Sequence, residues 1–183
     1  MVISRSAYSV AGKIGKIEGH TIVVWVDNEA GVLARVVGLF SGRGYNIDSL
    51  AVAEVDKKNN LSRITIVTSG SPQVIEQIKL QLKKLIPVHK VADFPKGKTL
   101  FRELALLKVI SNEKKRERAK KICKKYNSLI LDKTKKSFVV EVAALRKEID
   151  KLISLLQPLG LASVSRTGVV AMSKGAEVFG EKK

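Results

Sequence analysis

Apolar positions along the chain follow two periods, one of a strand and one of a helix, and the sequence alternates between them. His20–Val26 is almost wholly apolar (TIVVWV after the histidine), as in a strand covered on both faces. The segment Asp27–Gly31 (DNEAG) is a turn and a helix start. Val32, Leu33, Val36, Val37 and Phe40 then recur at helical spacing, and Gly42 and Gly44 stop that helix. Tyr45–Val55 reads as a second strand, Asp56–Asn60 (DKKNN) as a hairpin loop and Leu61–Thr68 as a third strand. Ser71-Pro72 opens a second helix, with proline at its first position. Its stripe is Val74, Ile75, Ile78, Leu82 and Leu85. Pro87 ends it, and Val88–Asp93 is a short fourth strand. The predicted order is βαββαβ.

The same order recurs after a linker, Phe94–Thr99 (FPKGKT). Glu103–Ile110 alternates as a strand. A helix follows, with Ala119, Ile122, Cys123 and Tyr126 on one face. Leu129–Leu131 and Phe138–Val142 flank a hairpin loop, and Leu145, Ile149, Leu152, Ile153 and Leu156 mark a second helix. Pro158–Gly160 turns the chain into a last strand, Leu161–Met172. The fold class expected is α+β: two ferredoxin-like βαββαβ units, each a four-stranded antiparallel sheet with two helices on one face. The expected divisions are a lead-in over 1–19, a first unit over 20–93, a linker over 94–99, a second unit over 100–175 and a loose tail over 176–183. Units this small leave one sheet face in need of cover, so a dimer or a close pairing of the two is expected.

Composition adds a charge asymmetry. The 183 residues carry 34 Lys and Arg against 17 Asp and Glu, a net charge of +17. The excess is densest between Lys114 and Lys136, in the second unit. It suggests an anionic partner, or a lysine-rich solvated surface. One cysteine excludes a disulfide framework, and two histidines leave little for a metal site or a catalytic triad. No apolar run reaches the length needed to span a bilayer. The first residues lack the apolar stretch of a secretory signal, although they are free of acid up to Glu18. A cytoplasmic chain is the expectation.

Candidate chemistry concentrates in two places. The first is Asp27–Leu33, between the first strand and first helix. Unpaired N–H groups at a helix N-terminus favour a carboxylate or phosphate, and Gly31 would let a ligand approach the backbone. The same residues also suit an ordinary helix cap. Asp27 and Glu29 do not make an acid/base pair, because near neighbours in sequence point apart. The second is Gly42–Asp48 (GRGYNID). It begins like a dinucleotide-binding loop but has isoleucine at the third glycine position and follows a helix, so that reading fails. Asn46, at the start of a strand, could face a ligand. The basic helix Glu113–Tyr126 is either an anion-binding face or a solvated one. Cys123 lies on its apolar stripe and reads as packing. His89 reads as an edge or packing residue, and Trp25 as core or dimer interface. Gly12 and Gly15 have the GxxG spacing of an RNA clamp without the helix that should follow. No P-loop or metal-ligand motif is present.

The stretches VWVDNEAGVLARVVGLFSGRGYNIDSLAVAEVD, LSRITIVTSG and VIEQIKLQLKKLIPVHKV, with RELALLKV and RTGVVAMSKG in the second repeat, resemble the small regulatory subunits of acetolactate synthase (acetohydroxyacid synthase). The resemblance implies an N-terminal ACT domain and a C-terminal ACT-like domain. It implies a non-catalytic chain that binds the catalytic large subunit, raises its activity in branched-chain amino-acid biosynthesis and confers feedback inhibition by valine. Thiamine diphosphate, magnesium and FAD belong to the large subunit in that family, and no cofactor is expected on this chain. Valine is expected at the interface of an ACT homodimer. The matching residues are Asn28, Gly31, Val32 and Leu33 in the first loop, and Asn46 and Ile47 in GYNI. Ala30 stands where relatives often carry serine or proline. The alternative class is a basic nucleic-acid-binding module, since ferredoxin-like sheets include the RRM. Base stacking needs aromatics on the central strands, and LSRITIVTS and VVEVA have none.

Overall fold

The computed structural model describes residues 16–176, 178 and 179. Most of the lead-in, with Gly12 and Gly15, lies outside them. The first unit comprises β1 (Glu18–Asp27), α1 (Val32–Ser41), β2 (Ser49–Asp56), β3 (Leu61–Gly70), α2 (Pro72–Lys83) and β4 (Val88–Asp93). The second comprises β5 (Thr99–Ile110), α3 (Glu113–Lys124), β6 (Leu129–Lys133), β7 (Ser137–Ala144), α4 (Arg146–Leu156), a 3-10 turn at Gln157–Leu159 and β8 (Leu161–Arg166). A short β9 (Val170–Ser173) follows. The two antiparallel sheets have equivalent orders, β2-β3-β1-β4 and β6-β7-β5-β8, which is the α+β repeat read from the sequence. No helix among the described residues is long and apolar enough to cross a membrane.

Helices α2, α3 and α4 form where the sequence supplies both a stripe and a side chain that caps it, whereas α1 has the stripe alone. Ser71 Oγ accepts the Val74 N–H at the start of α2, and Asn112 Oδ1 accepts the Lys115 N–H at the start of α3. In α4 the Glu148 carboxylate accepts the Leu145 N–H. Each stripe lands on its own sheet. Val36, Phe40, Ile78 and Leu82 meet Ile22, Val24, Ile64 and Ile66 in the first core. Ile149, Leu152 and Cys123 meet Leu107, Phe138 and Val140 in the second. Burial pushes the Cys123 thiol up to about 11, against a weaker opposing hydrogen bond from Ser128, so this sulfur is packing and not a nucleophile.

Three strands differ from the sequence reading. The second strand starts at Ser49 and not at Tyr45, because Tyr45 N–H returns to Phe40 O at 3.0 Å and closes the end of α1. The last strand is broken by Thr167, Gly168 and Val169, with Gly168 at φ +81°, a conformation that no extended strand contains. β5 correspondingly starts at Thr99 and not at Glu103, because the end of the expected linker and the residues after it pair with β9. Its half Glu103–Ile110 pairs with β7, and Thr99–Arg102 pairs with β9. The break steers β9 across the outer face of the first sheet. There Val23, Phe94 and Ala171 form a small apolar cluster, and the Phe179 ring meets Phe94 edge-on at 5.3 Å. Strand β1 is thus buried on both faces, with Trp25 only 6% exposed.

An ion pair with a buried carboxylate and a solvent-facing guanidinium holds β8 in place just before the break. Arg166 donates to both oxygens of Glu103, at 2.7 and 2.8 Å, and to Asp150 of α4 at 2.6 Å. Glu103 is 4% exposed. Hydrogen bonding to Glu103, then to Asp150, holds the Arg166 guanidinium well above its ordinary pKa, opposed by desolvation. Removing the guanidinium would leave the buried Glu103 carboxylate uncompensated. Arg166→Ala is therefore expected to lower stability by roughly 3–5 kcal/mol in urea unfolding, whereas a loss under about 1 kcal/mol would mean that Glu103 finds water instead. For Cys123, the native thiol should react with a disulfide reagent at pH 8 at least about 100-fold more slowly than in guanidinium. Equal rates would contradict its burial.

Candidate effector site

The first candidate loop is held from both sides. Asp27 N–H donates to Pro87 O at 2.9 Å, and its carboxylate meets His89 Nε2 at 2.6 Å, so His89 is an edge residue that braces the loop. Asn28 N–H donates to Asn60 O at 2.8 Å, and Asn60 Nδ2 donates back to Asn28 O at 3.3 Å. Asn60 can do this because it sits at φ +50° in the β2–β3 hairpin. Ser62 Oγ donates to Asn28 Oδ1 at 2.9 Å. With its oxygen occupied, the Asn28 carboxamide offers its N–H groups, the polarity that suits a carboxylate.

Gly31 precedes α1 at φ +83°, and no side chain caps the helix. A Cβ at this position would meet no atom of the chain within 4 Å. The helix N-terminus therefore opens onto free space, with its positive dipole end facing outward. Leu33 is exposed beside it, at 41%. Val32 is 4% exposed and packs into the first core, so its side chain supports the loop from below.

Asn46 and Ile47 lie elsewhere. They follow α1 and precede β2, at the far end of a ten-residue helix from Gly31. Ten residues of α-helix span about 15 Å. Asn46 is exposed, and Ile47 is half-buried against the first core. Asn46 Nδ2 donates to Asp48 Oδ1 at 2.6 Å, which leaves its oxygen as an acceptor beside a carboxylate, the polarity that suits an ammonium group. Thr68 Oγ1 donates to Asn46 O at 2.6 Å, and Ser69 Oγ donates to Asp48 Oδ2 at 3.0 Å. One chain thus brings Asn28, Gly31 and Leu33 together, and Asn46 with Ile47, but does not bring the two groups to each other.

Sequence reading missed Ser62, Asn60 and Asp48. Asn60 carried a signal, since asparagine tolerates positive φ in a hairpin. Ser62 and Asp48 matter through contacts between elements distant in sequence, which a local pattern does not record. Two cavities, of about 350 and 240 Å³, lie away from both groups. The smaller is lined by Lys120, Lys121 and Lys124 on the basic helix α3. The RNA-stacking alternative gains nothing from the structure, because Trp25 on the central strand is covered.

Comparison with known proteins agrees with this architecture unit by unit. Residues 22–90 match the family described as the AHAS small subunit-like ACT domain, and residues 102–175 match the family described as the small subunit of acetolactate synthase. The probable acetolactate synthase small subunit of Archaeoglobus fulgidus is 40% identical over 156 residues, covering 85% of this chain and 97% of that protein. The acetolactate synthase small subunit of Aquifex aeolicus is 37% identical over 169 residues, covering 92% and 88%. The crystal structure of the acetolactate synthase small subunit from Thermotoga maritima superposes with a TM-score of 0.80 at 33% identity, covering 87% of this chain and 99% of that one. By sequence in both units and by fold across the whole, the chain belongs to the family of acetolactate synthase small subunits.

Proposed function

We propose that this regulatory subunit activates the catalytic large subunit of acetolactate synthase and makes it sensitive to valine. Valine would be held between the ACT domains of two copies. The observation that carries the reading is the uncapped N-terminus of α1, open over Gly31. The free amides and the Asn28 N–H groups would receive valine's carboxylate. Asn46 Oδ1 and the Asp48 carboxylate of a second copy would receive its ammonium, and Leu33 and Ile47 its isopropyl group. Acceptor-rich and donor-rich halves that one chain keeps about 15 Å apart become complementary when two chains meet.

The edge of the first sheet supports a homodimer. β2 has one neighbour, β3, and its other side is unpaired among the described residues. It exposes Val52 at 43% and Val55 at 48%. A proline-free edge with exposed valines, its charges confined to Glu54 and Asp56 near one end, invites pairing with another strand. In this reading thiamine diphosphate, magnesium and FAD act on the large subunit, which carries the chemistry, in the cytoplasm. The second unit contributes to coupling with that partner.

Reconstitution with the large subunit tests the reading. The chain alone should form no acetolactate, and adding it to the large subunit should raise acetolactate formation and make it inhibitable by valine. Gly31→Asp would place a carboxylate against valine's own. Loss of one hydrogen bond to a charged group costs about 1.5–3 kcal/mol, so calorimetry should show valine binding weakened by roughly 10-fold or more. Unchanged affinity in this variant would place the effector elsewhere and leave the loop as a helix start only.

A further inference from the structure

The second unit touches the first directly behind the Asn46–Ile47 half of the candidate site. Ser49 Oγ accepts the Val169 N–H at 3.0 Å, across 120 positions of sequence. The Arg146 guanidinium, at the start of α4, lies 3.5 Å from the Asp48 carbonyl oxygen. Gly168 fits so closely that a Cβ on it would stand 2.8 Å from Ser49 Oγ and 3.0 Å from Leu50 O. Next along, Arg63 of β3 donates to the carbonyl of Ala171. Asp48 is also tied to the effector side. Asn46 Nδ2 bonds the Asp48 carboxylate at 2.6 Å, and Asp48 N–H donates to Val67 O at 2.8 Å. One four-residue segment, 46–49, therefore has the candidate ligand at one end and the second unit at the other.

We propose that the Thr167–Gly168–Val169 break is the element by which the second unit senses the effector, with Ser49 as the positioning residue. This rests on the effector site proposed above. A ligand shifts a conformational equilibrium only through different affinities for its two arrangements. Here the difference arises because an ammonium group drawn to Asn46 Oδ1 and Asp48 pulls the segment toward the sheet edge and away from β9. The Ser49–Val169 hydrogen bond is given up as the ligand engages. β9 is suited to respond: it pairs with β5 over four residues only, at the low-stability end of the fold. Gly168 is the residue required there, both by its positive φ and by the absence of room for a side chain.

Linkage makes the idea testable on the isolated full-length chain. If valine binding breaks the Ser49–Val169 bond, a chain that lacks the bond has less to lose on binding. Ser49→Ala should then bind valine more tightly than the parent, by roughly 2- to 10-fold, the range of a single neutral hydrogen bond. Ser49→Thr keeps the hydroxyl and should bind as the parent does. Hydrogen exchange supplies the second readout. In the parent, valine should speed exchange of the Val169 amide, and in Ser49→Ala that amide should exchange quickly without valine. Unchanged or weaker affinity in Ser49→Ala overturns the proposal, as does valine binding that leaves exchange at 167–171 unaltered. If the parent itself binds no valine, the effector site fails and this inference with it. Binding with a silent seam removes the inference alone.

Discussion

Strand β1 must be covered on both faces, and the rest of the molecule is arranged around that requirement. Ile22, Val24 and Val26 point to the helices, while Val23 and Trp25 point the other way. An antiparallel sheet of this size usually leaves its second face to solvent. Here the six consecutive buried residues Thr21–Val26 leave no wet side, so the second unit has to lie against the first. That need explains the length of β5, the kink at Gly168 and the direction of β9. It also brings Gly168 and Val169 against Ser49.

The same strand sets the position of α1, and α1 divides the candidate site. Its N-terminus follows the end of β1, where Asn28 is held by Asn60 and Ser62. Its C-terminus leads into Asn46–Asp48, which is latched to the far end of β3 by Thr68 and Ser69. The first group presents N–H donors and a helix dipole. The second presents an amide oxygen beside a carboxylate. These are the two polarities of an amino acid's main chain, held apart by the rigid length of a helix. A helix cannot fold to join its own ends, and in the function proposed above a second copy unites them.

Much of this was legible in the sequence because it is periodic. The βαββαβ order, its repetition, the buried face of Cys123 and the turn at Gly31 all follow from spacing and from glycine. The loop match also brought Asn28, Gly31, Leu33, Asn46 and Ile47 to notice. What stayed hidden depends on contacts between remote segments. The segment Leu161–Met172 reads as continuous strand across Gly168, because it is apolar enough to look unbroken and a lone glycine is weak punctuation. The second strand starts later than its composition suggests, because the Tyr45 N–H is spent on closing α1 and the ladder with β3 begins at Ser49. Ser62 orients Asn28 across 34 positions, and no local pattern carries that information. Val32 sits at helical spacing with the core and serves it, although the loop match grouped it with the effector residues.

The most direct test of a site shared by two copies is complementation in mixed dimers. One chain would carry Asn28→Ala with Gly31→Asp, and the other Asn46→Ala with Ile47→Ala. Each alone forms dimers in which both sites are damaged. Mixed after reversible dissociation, they form some dimers with one doubly damaged site and one intact site. At equal amounts and random pairing, valine binding by calorimetry should return to roughly a quarter of the parent's sites, at the parent's affinity. No recovery in dimers shown to be mixed would contradict a site built from the two ends of α1 in different chains.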